Sequence, residues 1–254
     1  MLRAILSLCL FVSIASDAHS QSGTARRIDD WGIISLQPGS GEAVALRLSG
    51  VHLPRPDAPG HGIAMDALNT SLAQAGTVTL LPLEGSVDRF GHLLADLEIG
   101  NTTLATELVR DGYAMAYSWR GETQRAEQFL RLEDEARTAG RGLWGTGDFA
   151  IRGAEPNRLA LDLETVQIVE GRVISVGDMT DRVYLNFGFD YRTDFTVSVA
   201  REHIQEFAES GLDLTSLEGR IVRVRGWLQA INGPSMSLDH PERIEVLTPI
   251  VAAD

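Results

Sequence analysis

Ala43-Val44-Ala45-Leu46-Arg47-Leu48-Ser49-Gly50-Val51-His52-Leu53-Pro54-Arg55 is the stretch on which the fold turns. Val44, Leu46 and Leu48 alternate with Ala43, Ala45 and Arg47, the two-residue period of a strand with one buried face. Arg47 therefore projects opposite the leucines. Upstream, Trp31 to Leu36 forms the other arm of a hairpin around Gln37-Pro38-Gly39-Ser40-Gly41. Downstream, Pro54, Pro56, Pro59 and Gly60 make a loop. A helix follows, with Ala64, Ala67, Leu68, Leu72 and Ala75 on one face.

Two more strands, Val78 to Leu83 and Leu93 to Ile99, are joined through Asp88-Arg89-Phe90-Gly91-His92. A helix from Thr103 to Arg110 ends at Gly112, as a left-handed cap requires. A last helix carries Ala126, Phe129, Leu132, Ala136 and Ala139 and stops at Gly140. This element order predicts an α+β first domain over 21–148, with 21–29 polar and ordered only where it joins the first strand. The segment Gly145 to Leu163, rich in Gly, Pro and charge, suits a linker, bounded at 149–163. In 164–250 the alternation of Val183, Leu185, Phe187 and Phe189, and of Phe195, Val197 and Val199, predicts a second small barrel. Its five strands, with a helix between the third and fourth, suit the OB type. On its fourth strand Arg223, Arg225 and Trp227 share one face; with Tyr184 they make a candidate ligand surface, an arginine–aromatic mixture suited to stacked bases on a phosphate track.

Residues 1–20 read as a secretory signal. Arg3 precedes the apolar run Ala4 to Ala15, and cleavage after Ser20 is expected. The run is short for a transmembrane helix. Cys9, the only cysteine, lies inside it, so the mature chain has no thiol or disulfide. The expected location is secreted or periplasmic, in a bacterium, with no membrane span after cleavage. Formal net charge is −13, so a polyanion would need a local basic patch working against the field. All 22 basic residues are arginine, a compositional bias that gives no single arginine special weight.

Four motifs in order resemble the staphylococcal-nuclease-like (thermonuclease) domain. They are Arg47 with Val51 and Pro54; Asp88-Arg89-Phe90-Gly91; Leu108-Val109-Arg110-Asp111-Gly112-Tyr113-Ala114; and Arg141-Gly142-Leu143-Trp144-Gly145. The resemblance implies an OB-like five-stranded barrel carrying three helices. It also implies hydrolysis of DNA or RNA phosphodiesters by two arginines, a glutamate and a calcium ion. Those groups suit the reaction: the pentacovalent phosphate gathers negative charge, and attack by water needs a carboxylate base or a metal-bound hydroxide.

Set against that pattern, Arg47 matches the first phosphate-binding arginine. His52 stands at a calcium aspartate, Arg55 at the glutamate, and His92 at the second arginine. The early acidic stretch has become Asp29-Asp30-Trp31-Gly32, with Trp31 or Gly32 nearest the second metal carboxylate. The pocket candidates are thus Arg47, Arg55, Asp57 and His92, with His52 and Asp30 as the residues left for a metal. The expectation is a degenerate nuclease without cofactor, binding nucleic acid, another phosphate-bearing ligand or an envelope protein. The alternative is an active calcium- or metal-dependent phosphodiesterase in which Asp57, or His52, His61 and His92, replaces the lost groups.

Overall fold

The computed structural model describes residues 21–247. The signal expected over 1–20, with Cys9, lies outside them. The first unit contains β1 (Ser22–Arg27), β2 (Ile34–Pro38), β3 (Val44–Leu48), α1 (His61–Ala75), β4 (Thr77–Val87), β5 (Leu93–Ile99), α2 (Leu104–Arg110) and α3 (Ala126–Thr138). β1 pairs antiparallel with β2 and β4, β2 with β3, and β4 with β5. β3 runs parallel to β5 and closes the ring. Leu46 and Leu48 are buried inside it with Ile34, Leu36 and Leu97, as the alternation predicts. α1 covers one end, burying Ala64, Met65, Leu68 and Leu72 at helical spacing. Each such leucine contributes roughly 1.5–3 kcal/mol of burial.

The turn after α2 requires glycine. Gly112 has φ 79, and a Cβ there would lie 2.3 Å from the Arg141 carbonyl oxygen. That close approach joins the Asp111-Gly112 turn to Arg141-Gly142, so two of the recognised motifs are halves of one contact.

One expectation needs correcting. Residues 22–27 are a full strand, hydrogen-bonded on both sides. Ser-Gly-Thr-Ala-Arg-Arg has little intrinsic strand preference; the two ladders flanking it supply the conformation.

After α4 (Gly142–Thr146), β6 (Ile151–Gly153) and α5 (Pro156–Leu159), the second unit contains β7 (Thr165–Arg172), β8 (Ser175–Asp178), β9 (Arg182–Asn186), β10 (Thr196–Ala200), α6 (Ile204–Glu209), β11 (Ile221–Ala230), β12 (Pro234–Leu238) and β13 (Ile244–Val246). β7 and β8 act as one bent first strand. Their partners give the order of the first barrel again: β8–β9, β9–β10, β10 parallel to β12, β12–β11, and β11 back to β7. Phe195, Phe207, Val197, Val222 and Leu238 are fully buried in its core.

The segment 149–163 is not the free linker expected from its composition. β6 pairs in parallel with β7, Phe149 is buried in the first core, and Leu159 is buried in the second. β7 itself serves both units. Ile168 belongs to the core of the first barrel and its neighbour Val169 to that of the second.

Candidate functional site

Arg47 leaves the outer side of β3 and donates from Nε to Asp88 Oδ2 at 3.1 Å. His92 Nδ1 lies 3.0 Å from the same oxygen. The other oxygen, Oδ1, accepts from the backbone amides of Phe90 at 2.8 Å and His92 at 3.0 Å. Asp88 thus builds the turn that carries His92 and also holds Arg47 in place. Burial would raise its pKa, but hydrogen bonds from the His92 side chain and from the His92 and Phe90 amides outweigh it and hold the carboxyl at about 2. The sequence placed Asp88 in a turn motif and missed it as the partner of Arg47; an acid opening the turn that presents His92 was the available signal.

His52 sits on a two-residue ladder in which Val51 and His52 pair with Ala116 and Met115. Its ring is 5.9 Å from that of Tyr117. Loss of hydration first, then the charges of Arg55 and Arg47, push its pKa down to about 4. It is a neutral imidazole at physiological pH. Arg55 donates from Nη2 to Asp57 Oδ2 at 3.1 Å, and its guanidinium lies 5.5 Å from the centre of the Trp227 ring, across the boundary between barrels. Its Nε is buried and has no hydrogen-bond partner among the described residues. Asp57 itself is largely exposed.

Arg47 and His92 therefore meet at Asp88, with His52 close enough to Arg55 and Arg47 to feel their charges. Asp30 belongs to a different cluster: it pairs with Arg27 at 3.0 Å, and its carbonyl oxygen lies 2.8 Å from His61 Nε2.

Residues 45–146 match the family model described as staphylococcal nuclease homologue. This segment is a staphylococcal-nuclease-like domain. The chain is also 23% identical over 137 residues, 52% of its length, to "Probable staphylococcal-like nuclease CAN3" of Oryza sativa subsp. japonica. That similarity covers 34% of the rice protein, so the chain spans about a third of the length of the curated relative it matches.

The residues of this nuclease-like domain do not fit the calcium ion that the family resemblance implies. A hard cation wants several carboxylate or carbonyl oxygens. At the site, the positions in question hold two guanidinium groups and a neutral imidazole. Among the described residues no three His, Cys, Asp or Glu side chains gather in a metal-binding group. Of the two carboxylates here, Asp88 already accepts four hydrogen bonds and Asp57 is paired with Arg55.

The arginine face expected on the second barrel is turned toward the first domain. Arg225, 2% exposed, donates from Nη1 to Glu133 Oε2 of α3 at 2.8 Å and to the Ala116 carbonyl at 2.9 Å. Its Nη2 reaches Glu245 Oε1 at 2.8 Å. Arg223 is held by Glu170 and Glu245. The stripe does lie on one face, but the nuclease-like domain covers Arg225, and acids from β7 and β13 neutralise the pair. Trp227 remains exposed, and Tyr184 lies on β9, half-buried.

Sequence reasoning also missed a buried chain across the same junction. Ser118 Oγ is 2.7 Å from His240 Nε2, and His240 Nδ1 is 2.7 Å from Asp239 Oδ1. Arg243 donates to the Ser118 carbonyl and lies over the Tyr117 and Trp119 rings. A serine–histidine–aspartate chain resembles nucleophilic machinery. Here His240 is fully buried and Ser118 nearly so, so no substrate reaches the hydroxyl. The chain ties the domains together.

Proposed function

We propose that this protein is an exported phosphodiester-binding module, built on a nuclease-like domain that does not use the calcium-dependent hydrolysis of its family. One observation carries the reading. Arg55 stands at the position of the general base, wedged between Asp57 and Trp227, beside a neutral His52 at the position of a metal carboxylate. A guanidinium cannot accept a proton at neutral pH, so water attack loses its activator. What remains is good at holding an anion: Arg47 and Arg55 are charge-assisted donors, and the Arg55 Nε has no acceptor among the described residues.

The test is a nuclease assay on single- and double-stranded DNA and RNA with calcium, other divalent metals or chelator. No turnover is expected, together with salt-sensitive oligonucleotide binding that Arg47→Ala weakens. Calcium-dependent turnover abolished by Arg47→Ala would sink this reading in favour of an active phosphodiesterase. Export rests on the pattern of residues 1–20 and is checked by fractionation and N-terminal sequencing, with Gln21 expected as the first residue. Among the described residues no helix is long and apolar enough to cross a membrane.

A further inference from the structure

We propose that the outer face of the second barrel continues the arginine site of the first. Together they take a single-stranded nucleic acid, its backbone on Arg47 and Arg55 and an unpaired base stacked on Trp227. This inference rests on the phosphodiester-binding reading above and adds to it the strandedness of the ligand and the second barrel's part in binding.

The first support is contact across the junction. Arg55 belongs to the loop after β3 and Trp227 to β11, yet guanidinium and indole lie 5.5 Å apart. A phosphate on Arg55 would sit beside an aromatic face, the pairing of charge and ring that grips single strands without regard to sequence.

The second is an unsatisfied donor. The buried Arg55 Nε has no acceptor among the described residues, whereas buried donors ordinarily find one. Asp57 occupies only Nη2, and its exposed carboxylate can move aside at little cost.

The third is the continuation of the face. Tyr184 pairs in register with Ser198, and Ser198 with Ser237. Gln229 pairs with Ser235, so by the two-residue period Trp227 and Ser237 share the outer side with Ser198 and Tyr184. Trp227 and Tyr184 thus stand on the outer side of β11 and β9, with β12 and β10 between them in the sheet. Ser237 and Ser198 place hydroxyls on the two strands between, and the Arg182 guanidinium lies 5.9 Å from the centre of the Tyr184 ring. Stacking on such a face needs bases free of a partner strand, which excludes an intact duplex. The net charge of −13 does not forbid it, because repulsion from distant acids is screened beyond about 8 Å at physiological salt.

The experiment measures binding of the purified protein to fluorescein-labelled twelve-nucleotide oligo(dT), to a duplex of equal length and to the dinucleotide dTpdT. It uses anisotropy and tryptophan quenching at two salt concentrations. Expected is a preference for the single strand, weakened about tenfold by Trp227→Ala, largely recovered in Trp227→Phe, and weakened less by Tyr184→Ala. An unchanged unfolding midpoint in Trp227→Ala shows that the loss is not one of folding. Should Trp227→Ala bind oligo(dT) like the parent while Arg47→Ala does not, this inference is overturned and the phosphodiester reading stands. Equal affinity for duplex and single strand overturns it too. Failure of the parent to bind either oligo(dT) or dTpdT at low salt overturns both.

Discussion

The two barrels have one strand order, a parallel third and fifth strand, and a helix between the third and fourth strands. They treat their outward arginines in opposite ways. On the first barrel, Arg47 meets one carboxylate oxygen, shared with a histidine, and keeps part of its side chain in solvent. On the second, Arg225 has two carboxylates and a carbonyl and almost no exposure. Both are arginines projecting from the outer side of a barrel strand, the third in one barrel and the fourth in the other; the partners differ. An arginine saturated by buried acids is architecture, and one left with an open donor is available to a ligand.

The strongest way to break this contrast is Glu133→Ala. It strips the buried Arg225 of one of its acids and should cost about 3–5 kcal/mol in urea denaturation. A loss under about 1 kcal/mol would mean that Arg225 reaches water and the two faces are not so different. Next comes pH. The folded pKa of His52, about 4, lies below its ordinary 6.5, so the unfolded chain binds the extra proton between those values. Its contribution is complete above pH 6.5 and is lost as pH falls through 4, up to about 3 kcal/mol. Histidine NMR titration reads the value directly, and Arg55→Gln should move it up.

Asp88→Asn sharpens the contrast from the other side. The carboxylate is held at about 2, so its contribution is present above the ordinary carboxylate pKa of about 3.9 and lost as pH falls through 2. Its replacement should cost about 2 kcal/mol, again by urea denaturation, while freeing Arg47 and tightening oligo(dT) binding severalfold in anisotropy. The smallest effect is expected for the exposed pair between Arg120 and Glu206, where Arg120→Ala should change stability by less than about 1 kcal/mol.

Both barrels were legible in the sequence because each core strand alternates cleanly, as in Val44-Ala45-Leu46-Arg47-Leu48 and Val183-Tyr184-Leu185. Gly112 and Arg141-Gly142 carried the turn that locks the last helices of the first domain. What alternation could not supply was the identity of whatever stands opposite a face. It put Arg223, Arg225 and Trp227 together correctly, but the acid that claims Arg225 lies 92 residues away on α3. Likewise, Ser118 and His240 are separated by 122 residues. The polar strand Ser22–Arg27 and the ordered segment after Phe149 were hidden for a related reason. Their conformation comes from neighbouring ladders and cores rather than from their own residues. At the candidate site, the residues at positions 52, 55 and 92 were visible, whereas the role of Asp88 and the approach of Trp227 to Arg55 depended on folding.

Ile168 and Val169 point to opposite sides of a single strand, one into each core. A hinge needs a segment that can rotate without disturbing what it joins. This strand offers none, since any swing would pull one of two adjacent side chains out of its packing. The span from Arg47 to Tyr184 is consequently set when the chain folds. A ligand crossing it meets a preorganised track, with no domain closure to drive and little ordering entropy lost by the protein on binding.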